Sequence, residues 1–309
     1  MNVEVSVIIT TFKRSDLLPR AVDSALNQSY KNLEIIIVDD NEPDSQYRRD
    51  NEKLISTKYA GFCNVRYVPM ERNSGACPAR NKGVSEAQGE YINFLDDDDV
   101  LLPTKIEKQI SVFQSDTKKE LAAVGCFADI VNQNGEKIGS EEIEFKGDAF
   151  FKEMCTNLCT TSLALIRKDV YLKSGGFETM YSSQEHWMFM KLFSVLPGYS
   201  YVPETLALIY HHDGERISTN KRKPLGAVQL YNQSQKLINR FSKNEQSIIK
   251  ASLNMNIIIS YMILGDRLNA FKYLLKRQPY APIYKQSTIK LLVLCIVGWD
   301  AYSKMSKKK

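Results

Sequence analysis

Short apolar runs rich in β-branched residues alternate with amphipathic stretches through the first hundred residues of the chain. The runs at residues 3–9, 33–38, 64–68 and 90–95 have the length of buried strands. Between the first two, residues 17–27 repeat apolar side chains on one face of a helix. Strands that alternate with helices in this way predict an α/β fold, with a doubly wound, mostly parallel central sheet and helices on both faces.

The pattern becomes less regular and then helical in the rest of the chain. Further candidate strands lie at residues 121–131, 161–166 and 206–210. Beyond about residue 218, apolar residues recur at helical spacing over 248–264 and again over 267–277, with a Gly-Asp break between them. This change predicts a C-terminal helical region.

Charge divides the chain at nearly the same place. The 309 residues include 41 Lys and Arg against 36 Asp and Glu, which gives a net charge of +5. Residues 1–215 hold 23 basic and 33 acidic side chains, whereas residues 216–309 hold 18 basic and 3 acidic ones. We therefore expect two domains, an acidic one at 1–215 that carries the ligand site and a basic, mainly helical region at 216–309.

Composition excludes several classes of protein. The six cysteines form no CxxC pair and the chain has only three histidines, so a zinc site built from Cys and His is not expected. The N-terminus lacks the basic start and apolar segment of a signal peptide, and no run of about 18 apolar residues is present. We expect a cytoplasmic protein with reduced thiols.

Carboxylates directly follow two of the predicted strands. Asp39 and Asp40 end the second strand, and residues 96–99 are four consecutive aspartates after the apolar run that ends at Leu95. Ligands bind at the carboxyl ends of strands in open α/β sheets, and clustered acids repel each other unless a cation offsets them. Mg²⁺ or Mn²⁺ would do so through oxygen ligands and leave room for a diphosphate. The alternative, a solvated acidic loop, is the weaker interpretation in this context.

The phosphate-binding motifs of other nucleotide-binding folds are missing. No GxGxxG follows a strand, and the sequence contains no GxxxxGK[ST]. The sequence therefore gives no support to a Rossmann dehydrogenase or a P-loop enzyme.

Five sequence motifs, by their order and spacing, resemble a known family. They are VSVIITTFKR, IIIVDDNEPD, NSGACPARNKG, GEYINFLDDDDVLLPTKIEKQ and GGFETMYSSQEHWMFMKLF. Together they are similar to the nucleotide-sugar half of family 2 glycosyltransferases, which have the GT-A fold. The resemblance covers about residues 3–218 and implies a nucleoside-diphosphate-sugar donor, with a UDP-sugar favoured.

The resemblance implies roles for individual residues of the donor site. Thr10 would contact the nucleotide, and Asp40 would accept a hydrogen bond from its base. Asp98 matches the ligand of a Mn²⁺ or Mg²⁺ ion, although four consecutive aspartates leave this register open by one residue. The other residues that match the nucleotide-sugar site are Phe12, Arg14, Asn73, Arg80, Asp96 and Asp97.

The later motifs imply a general base and a further metal contact. Glu185, in Ser-Gln-Glu-His-Trp, takes the position of the catalytic acid and would deprotonate the acceptor hydroxyl in one inverting displacement. The alternative for Glu185 is an ordinary acidic residue in the first turn of a helix. His212, in Tyr-His-His-Asp-Gly, would contact the metal or the diphosphate, with His211 as the alternative.

The end of the chain suggests a surface partner. Residues 291–297 are apolar, too short to span a bilayer, and flanked by lysines. They fit either a segment in the interface of the inner face of the cell membrane or a core helix with a solubilising tail, and we favour the first. Nucleic acid is not an expected partner, because the first domain is acidic and has no recognition motif.

These observations lead to one main hypothesis and two alternatives. The main hypothesis is a metal-dependent inverting glycosyltransferase that acts on a glycan or lipid-linked acceptor in the synthesis of a surface polysaccharide, such as capsule or lipopolysaccharide. The first alternative is a non-catalytic sugar-nucleotide-binding scaffold. The second is a nucleotidyltransferase, which usually has a Gly-rich loop after the first strand, whereas this loop is Thr-Thr-Phe-Lys-Arg.

Overall fold

The computed structural model describes residues 3–211 and 221–277, and within them the chain forms two compact units. The first unit contains residues 3–150, 158–179 and 191–211, and the second contains residues 151–157, 180–190 and 221–277. The boundary expected at residue 215 lies outside the described residues. Two earlier segments of the chain, which the sequence assigned to the first domain, belong to the second unit.

The first unit is built around one sheet, which has ten strands within the described residues. The strands are β1 (Val5–Thr11), β2 (Leu33–Asp39), β3 (Val65–Pro69), β4 (Tyr91–Asp96), β5 (Val100–Leu101), β6 (Leu121–Val131), β7 (Lys137–Glu141), β8 (Gly147–Asp148), β9 (Leu165–Arg167) and β10 (Gly198–Tyr210). Eight of them follow the order β3-β2-β1-β4-β9-β6-β10-β5, while β7 pairs with β6 and β8 with β10.

The strands nearest the N-terminus form the parallel half of this sheet. β3, β2, β1 and β4 are neighbours that run in the same direction, and β6 and β10 form a second parallel pair. β9 joins the two parts by antiparallel pairing with both β4 and β6. The predicted α/β class, with a mostly parallel central sheet, surrounding helices and a C-terminal helical region, is confirmed.

Helices cover the sheet and make up most of the second unit. They are α1 (Leu18–Leu26), α2 (Gln46–Leu54), α3 (Ala76–Glu86), α4 (Lys105–Ser115), α5 (Phe150–Cys155), α6 (Lys168–Ser174), α7 (Gln184–Val195), α8 (Lys223–Ile238), α9 (Lys243–Ile263) and α10 (Arg267–Arg277). The Ser45 hydroxyl accepts a hydrogen bond from the backbone N–H of Arg48 and starts α2, which a π-helical turn at Ile55–Tyr59 continues.

Close packing of α3 on the sheet positions one loop of the site. β2 is buried along its whole length, including the charged residues Glu34 and Asp39. At Gly83 of α3, a Cβ atom would lie 2.3 Å from Cγ2 of Ile8 in β1, so only glycine allows this approach. The start of α3, which follows residues 73–75, is thereby held close to the strands.

The helices at the end of the second unit have their own apolar core. Ile258 and Met262 of α9 pack with Ala270 and Leu274 of α10, and all four are buried. Ser242 and Glu245 form a capping box that starts α9. None of the described helices is long and apolar enough to cross a membrane.

Candidate active site

The carboxyl ends of β1, β2 and β4 lie side by side and carry most of the predicted donor-site residues. Thr10 of β1 is level with Val38 of β2 on one side and with Asp96 of β4 on the other. Thr11 is level with Asp39 in the same way. The register therefore brings the two acidic segments of the sequence to one edge of the sheet, as the predicted parallel order requires.

Carboxylates converge at the end of β4. Oxygen atoms of Asp96, Asp98 and Asp99 lie within 4.8 Å of one another. Burial raises the pKa of Asp99 well above its usual value, and the charges of Asp96 and Asp98 raise it further. Asp97 is also buried, which raises its pKa to about 7. This end of the strand concentrates negative charge in little space.

Two arginines neutralise part of this charge. Nη1 of Arg14 donates to Oδ1 of Asp97 at 3.2 Å and to Oδ2 of Asp98 at 2.5 Å. Partial burial lowers the pKa of Arg14, but the carboxylates of Asp98 and Asp97 outweigh it and leave the pKa raised. Nη2 of Arg80 donates to Oδ1 of Asp96 at 2.7 Å. The predicted residues Arg14, Arg80, Asp96, Asp97 and Asp98 thus form one network.

Arg20 belongs to the same network, although it was not predicted as a site residue. Its Nη2 donates to the carbonyl oxygen of Asp98 at 2.6 Å, and its guanidinium lies 3.5 Å from the centroid of the Tyr210 ring. Arg20 stands in α1 like any polar residue of an amphipathic helix, 78 positions before Asp98. Nothing local in the sequence distinguishes it from a surface arginine.

The Asp99 carboxylate accepts hydrogen bonds from two other segments of the first unit. Its Oδ2 accepts a hydrogen bond from the Ser162 hydroxyl at 2.8 Å, and its Oδ1 accepts one from the backbone N–H of Tyr210 at 3.2 Å. These bonds connect Asp99 to the turn before β9 and to the last residue of β10. Asp99 therefore has a structural role whether or not it also contacts a metal.

The residues present fit a divalent cation. Three carboxylates from a four-residue stretch offer hard oxygen donors, which Mg²⁺ and Mn²⁺ prefer. Burial and, after it, repulsion from Asp96 and Asp98 raise the pKa of Asp99, and a bound cation would relieve that repulsion. The set Asp96, Asp98 and Asp99 includes the predicted ligand Asp98. Asp97 lies outside this set.

At the end of β2, Asp40 is held by the loop before α3. Its Oδ2 accepts hydrogen bonds from Nδ2 of Asn73 at 2.9 Å and from the N–H of Gly75 at 2.8 Å, and its Oδ1 accepts one from the N–H of Ser74 at 2.8 Å. Burial raises the pKa of Asp40, although the two backbone N–H groups lower it in part. Asp40 and Asn73, both predicted, are thus brought into direct contact.

The neighbouring Asp39 has a different set of partners. It is fully buried and accepts hydrogen bonds from Nδ2 of Asn51 at 2.8 Å and from the Tyr67 hydroxyl at 2.6 Å. The buried guanidinium of Arg48 lies 3.5 Å from Oδ1 of Asp39 and donates to the carbonyl oxygens of Asp39, Asn41 and Met70. This cluster fixes the backbone on both sides of Asp40, and the sequence analysis did not identify it.

The loop after β1 has one strained residue and one exposed ring. Lys13 has a φ of 58°, and its N–H donates to Oδ1 of Asn41 at 2.8 Å. The predicted residue Phe12 is 41% exposed at this loop, and Nζ of Lys13 lies 5.0 Å from its ring centroid. A ring held open to solvent beside the strand ends is free to stack on a planar ligand.

Glu185 lies in the second unit, in the first turn of α7. It is partly exposed, and Ser183 just before the helix has a φ of 61°, an uncommon conformation for a residue with a side chain. The next residue, His186, is buried, its Nε2 lies 2.6 Å from the carbonyl oxygen of Glu153, and burial lowers its pKa to about 4. His186 is therefore a packed neutral side chain.

One predicted site residue cannot be placed. His212 lies outside the described residues, as do residues 291–297 and the final lysines. The alternative residue His211 directly follows β10 and is exposed, and its backbone N–H donates to the carbonyl oxygen of Val131 at 2.7 Å.

Known proteins share both this sequence pattern and this fold. The family model described as "Glycosyl transferase family 2" matches residues 6–175, which is more than half of the chain. An uncharacterized glycosyltransferase of Haemophilus influenzae is 24% identical over 303 residues, which cover 95% of this chain and 94% of that relative. An uncharacterized glycosyltransferase of Rickettsia bellii is 33% identical over 132 residues, but these span only 18% of its length.

Two solved structures resemble most of the chain in fold. A crystal structure of S. aureus TarS 1-349 in complex with UDP-GlcNAc has a TM-score of 0.59 at 15% identity, over 92% of each chain. The mannosyltransferase PcManGT from Pyrobaculum calidifontis, in complex with GDP-Man and Mn²⁺, has a TM-score of 0.58 at 17% identity, over 97% of this chain and 88% of that one.

The chain belongs to glycosyltransferase family 2, and its fold is that of GT-A glycosyltransferases. The predicted resemblance and the predicted enzyme class are therefore confirmed.

Proposed function

We propose that this chain is a metal-dependent inverting glycosyltransferase that moves a sugar from a nucleoside-diphosphate sugar to a hydroxyl group of a glycan or lipid-linked acceptor. Family membership supports the class of reaction. The UDP-GlcNAc of the TarS complex and the GDP-Man of the mannosyltransferase complex support a nucleoside-diphosphate-sugar donor, of which we favour a UDP-sugar. We further propose that the product is a cell-surface polysaccharide.

The observation that carries this proposal is the carboxylate cluster at the end of β4. Asp96, Asp98 and Asp99 would hold one Mn²⁺ or Mg²⁺ ion. Such an ion, when bound, stabilises the negative charge of a departing diphosphate. Arg14, which contacts two carboxylates of the run, supplies further positive charge at the same edge of the sheet.

The donor's nucleotide would be bound by the ends of β1 and β2. An ionised carboxylate has about four acceptor positions, and the loop at residues 73–75 uses three on Asp40. One position on Oδ1 remains for an N–H group of the base. Thr10 at the end of β1 and Asn73, which donates to Oδ2 of Asp40, would be further contacts of the nucleotide, and the exposed ring of Phe12 offers a stacking surface.

Glu185 would act as the general base. A carboxylate at this position accepts the proton of the acceptor hydroxyl while that oxygen attacks the anomeric carbon. The bond to the diphosphate breaks in the same displacement, so that the anomeric configuration inverts and no covalent intermediate with the protein forms. The strained backbone at Ser183 supports a functional role for the start of α7, because such conformations concentrate at functional sites.

The test is the release of nucleoside diphosphate from a panel of UDP-GlcNAc, UDP-glucose, UDP-galactose and GDP-mannose, with Mn²⁺ and with EDTA. We expect turnover of one donor that EDTA abolishes and that both Asp98→Ala and Glu185→Gln lower strongly. Asp169→Asn is the matched control, because Asp169 is a half-exposed aspartate of the first unit whose ion pairs within the described residues are with Arg167 and Lys173.

The outcomes separate the proposal from its alternatives. Tight donor binding without turnover would contradict an enzyme and favour a sugar-nucleotide-binding scaffold. Release of pyrophosphate from a nucleoside triphosphate would favour a nucleotidyltransferase. Glu185→Gln with the activity of the wild type would remove Glu185 from the mechanism and leave the class of enzyme intact.

A further inference from the structure

Helix α10 has two apolar faces. Ala270 and Leu274 point to the core that they share with Ile258 and Met262 of α9. Other apolar side chains of the same helix are open to solvent, and they are Leu268, Phe271 and Leu275, with exposed fractions of 87%, 45% and 55%. A helix at the surface of a soluble protein normally has a polar outer face.

The exposed apolar residues form a continuous stripe. Leu268, Phe271 and Leu275 are spaced by three and four residues, which places them on one side of a helix. Ile263 and Leu264, each 39% exposed, extend the apolar surface to the end of α9, one tight turn before. We refer to these five side chains as the α10 patch. Single exposed apolar residues are common, but a group of five within 13 residues marks an interaction site.

Basic side chains border the α10 patch. Lys272 and Lys276 are exposed and follow Phe271 and Leu275 directly, so they lie beside the apolar stripe on the helix. Arg267 is exposed at the start of α10. Residues 267–277 contain no acidic residue. The carboxylate just before the helix, Asp266, accepts hydrogen bonds from the backbone and side chain of Asn269.

We propose that the α10 patch docks on an anionic phospholipid surface. An apolar stripe with basic residues along its border matches the two layers of such a surface, since the side chains enter the acyl boundary and the ammonium groups meet the phosphates. A second copy of the chain is a poorer partner, because a two-fold symmetric contact through this stripe would bring the basic borders of both copies together.

The docking is independent of the proposed transfer reaction, because it needs neither donor nor metal. It concerns residues of α9 and α10 and not residues 291–297, on which the sequence-based expectation of a membrane contact rested. For a lipid-linked acceptor, it would bring the enzyme to the surface that holds the acceptor.

The experiment is co-sedimentation of the full chain with vesicles of phosphatidylcholine, alone or mixed with phosphatidylglycerol, without any sugar nucleotide. We expect binding to the anionic vesicles, and we expect Leu268→Ser/Phe271→Ser/Leu275→Ser to weaken it at least about tenfold. The matched control is Phe62→Ser/Ile138→Ser/Leu172→Ser, three exposed apolar residues of the first unit with exposed fractions of 45%, 57% and 57%. This control should bind as the wild type does.

A second variant separates the apolar from the electrostatic contribution. Lys272→Gln/Lys276→Gln should weaken binding to anionic vesicles about tenfold and leave binding to neutral vesicles unchanged. Circular dichroism must show that each variant keeps the helical content of the wild type, and donor turnover in solution should be unaffected.

Three results would overturn the proposal. The first is recovery of the wild type only in the supernatant with anionic vesicles, and the second is binding of the serine triple variant to them as tight as that of the control. A dimer in analytical ultracentrifugation that only the α10 triple variant abolishes would instead assign the patch to a contact between copies of the chain.

Discussion

Two strands on either side of β1 in the same sheet end in consecutive carboxylates, and the two ends are built differently. At the end of β2, Asp39 and Asp40 are surrounded by donors, including the side chain of Asn51 and the backbone N–H groups of residues 74 and 75. At the end of β4, oxygen atoms of Asp96, Asp98 and Asp99 approach one another within 4.8 Å. Consecutive aspartates after a strand thus stabilise the fold at the end of β2 and form a candidate cation site at the end of β4.

The two strand ends differ in the groups that surround their carboxylates. Around Asp39 and Asp40, buried donors of the protein itself satisfy the carboxylates, so that removing a carboxylate leaves those donors unpaired. Around Asp98, the carboxylates of Asp96 and Asp99 lie close by and the partly exposed guanidinium of Arg14 donates to it, so that removing the charge of Asp98 relieves repulsion and breaks an ion pair that solvent screens. Substitutions at the β2 end should therefore reduce stability, and substitutions at the β4 end should reduce activity.

The largest expected effect is on catalysis at the β4 end. Asp98→Asn should lower nucleoside diphosphate release about a thousandfold, since the charge stabilisation that a bound cation supplies is worth several kcal/mol. The measurement is turnover of the active donor from the panel, in excess Mn²⁺. The free energy of unfolding should change by no more than about 1 kcal/mol, because the ion pair lost with Arg14 is partly exposed and the repulsion between Asp98 and its neighbours is relieved. Loss of folding in Asp98→Asn would contradict this account.

A strong effect on stability is expected at the β2 end. Asp39→Ala should lower the free energy of unfolding by about 3 to 5 kcal/mol, because it leaves the buried guanidinium of Arg48 without its carboxylate. Urea unfolding followed by circular dichroism measures this change. Asp169→Ala, which removes the partly exposed ion pairs with Arg167 and Lys173, is the control and should cost less than about 1 kcal/mol. Equal urea midpoints for Asp39→Ala and Asp169→Ala would contradict a stabilising role for the carboxylate of Asp39.

Asp40→Asn should have an intermediate effect. The amide keeps one acceptor oxygen but loses the charge that three donors of residues 73–75 share, so a stability loss of about 2 kcal/mol is expected. If Asp40 also binds the base of the donor, the KM for the donor rises while kcat changes little. A fall in kcat with an unchanged KM would place Asp40 at the reacting centre instead.

The smallest effect is expected when a single hydrogen bond to Asp39 is removed. Tyr67→Phe removes only the hydroxyl that donates to Oδ2 of Asp39 at 2.6 Å, while Asn51 still donates to the same carboxylate. We expect a loss of about 1 to 2 kcal/mol in urea unfolding and no change in metal-dependent turnover. A loss of turnover without a loss of stability would show that the hydrogen bond between Tyr67 and Asp39 contributes to catalysis directly.

The sequence predicted the sheet well where the signal is local. The apolar runs of β1, β2 and β4 and the aspartates that follow them are contiguous, so that both the strands and their common edge could be inferred. β6 was predicted with its observed bounds, whereas the strand expected at residues 161–166 is displaced to Leu165–Arg167 by a turn at residues 160–163. The short strands β5, β7 and β8 have no apolar run of their own and were not predicted.

The features that were not predicted depend on contacts between residues far apart in the sequence. Arg20 and Arg48 lie in ordinary helical sequence and become parts of the site only through contacts that the fold creates. The different roles of Asp39 and Asp40 follow from which way each side chain faces, which two adjacent aspartates do not reveal. The second unit takes up residues 151–157 and 180–190 because of packing between distant segments, not because of any change in composition.

The most direct test of the difference between the strand ends is thermal unfolding of the full chain with and without excess Mn²⁺, in the absence of donor. A ligand that binds only the native state stabilises it, by about 3 kcal/mol at a hundredfold excess over its Kd. We predict that Mn²⁺ raises the Tm of the wild type and of Asp40→Asn by the same amount and leaves the Tm of Asp98→Asn unchanged. Stabilisation of Asp98→Asn equal to that of the wild type would contradict the assignment of the cation site to the end of β4.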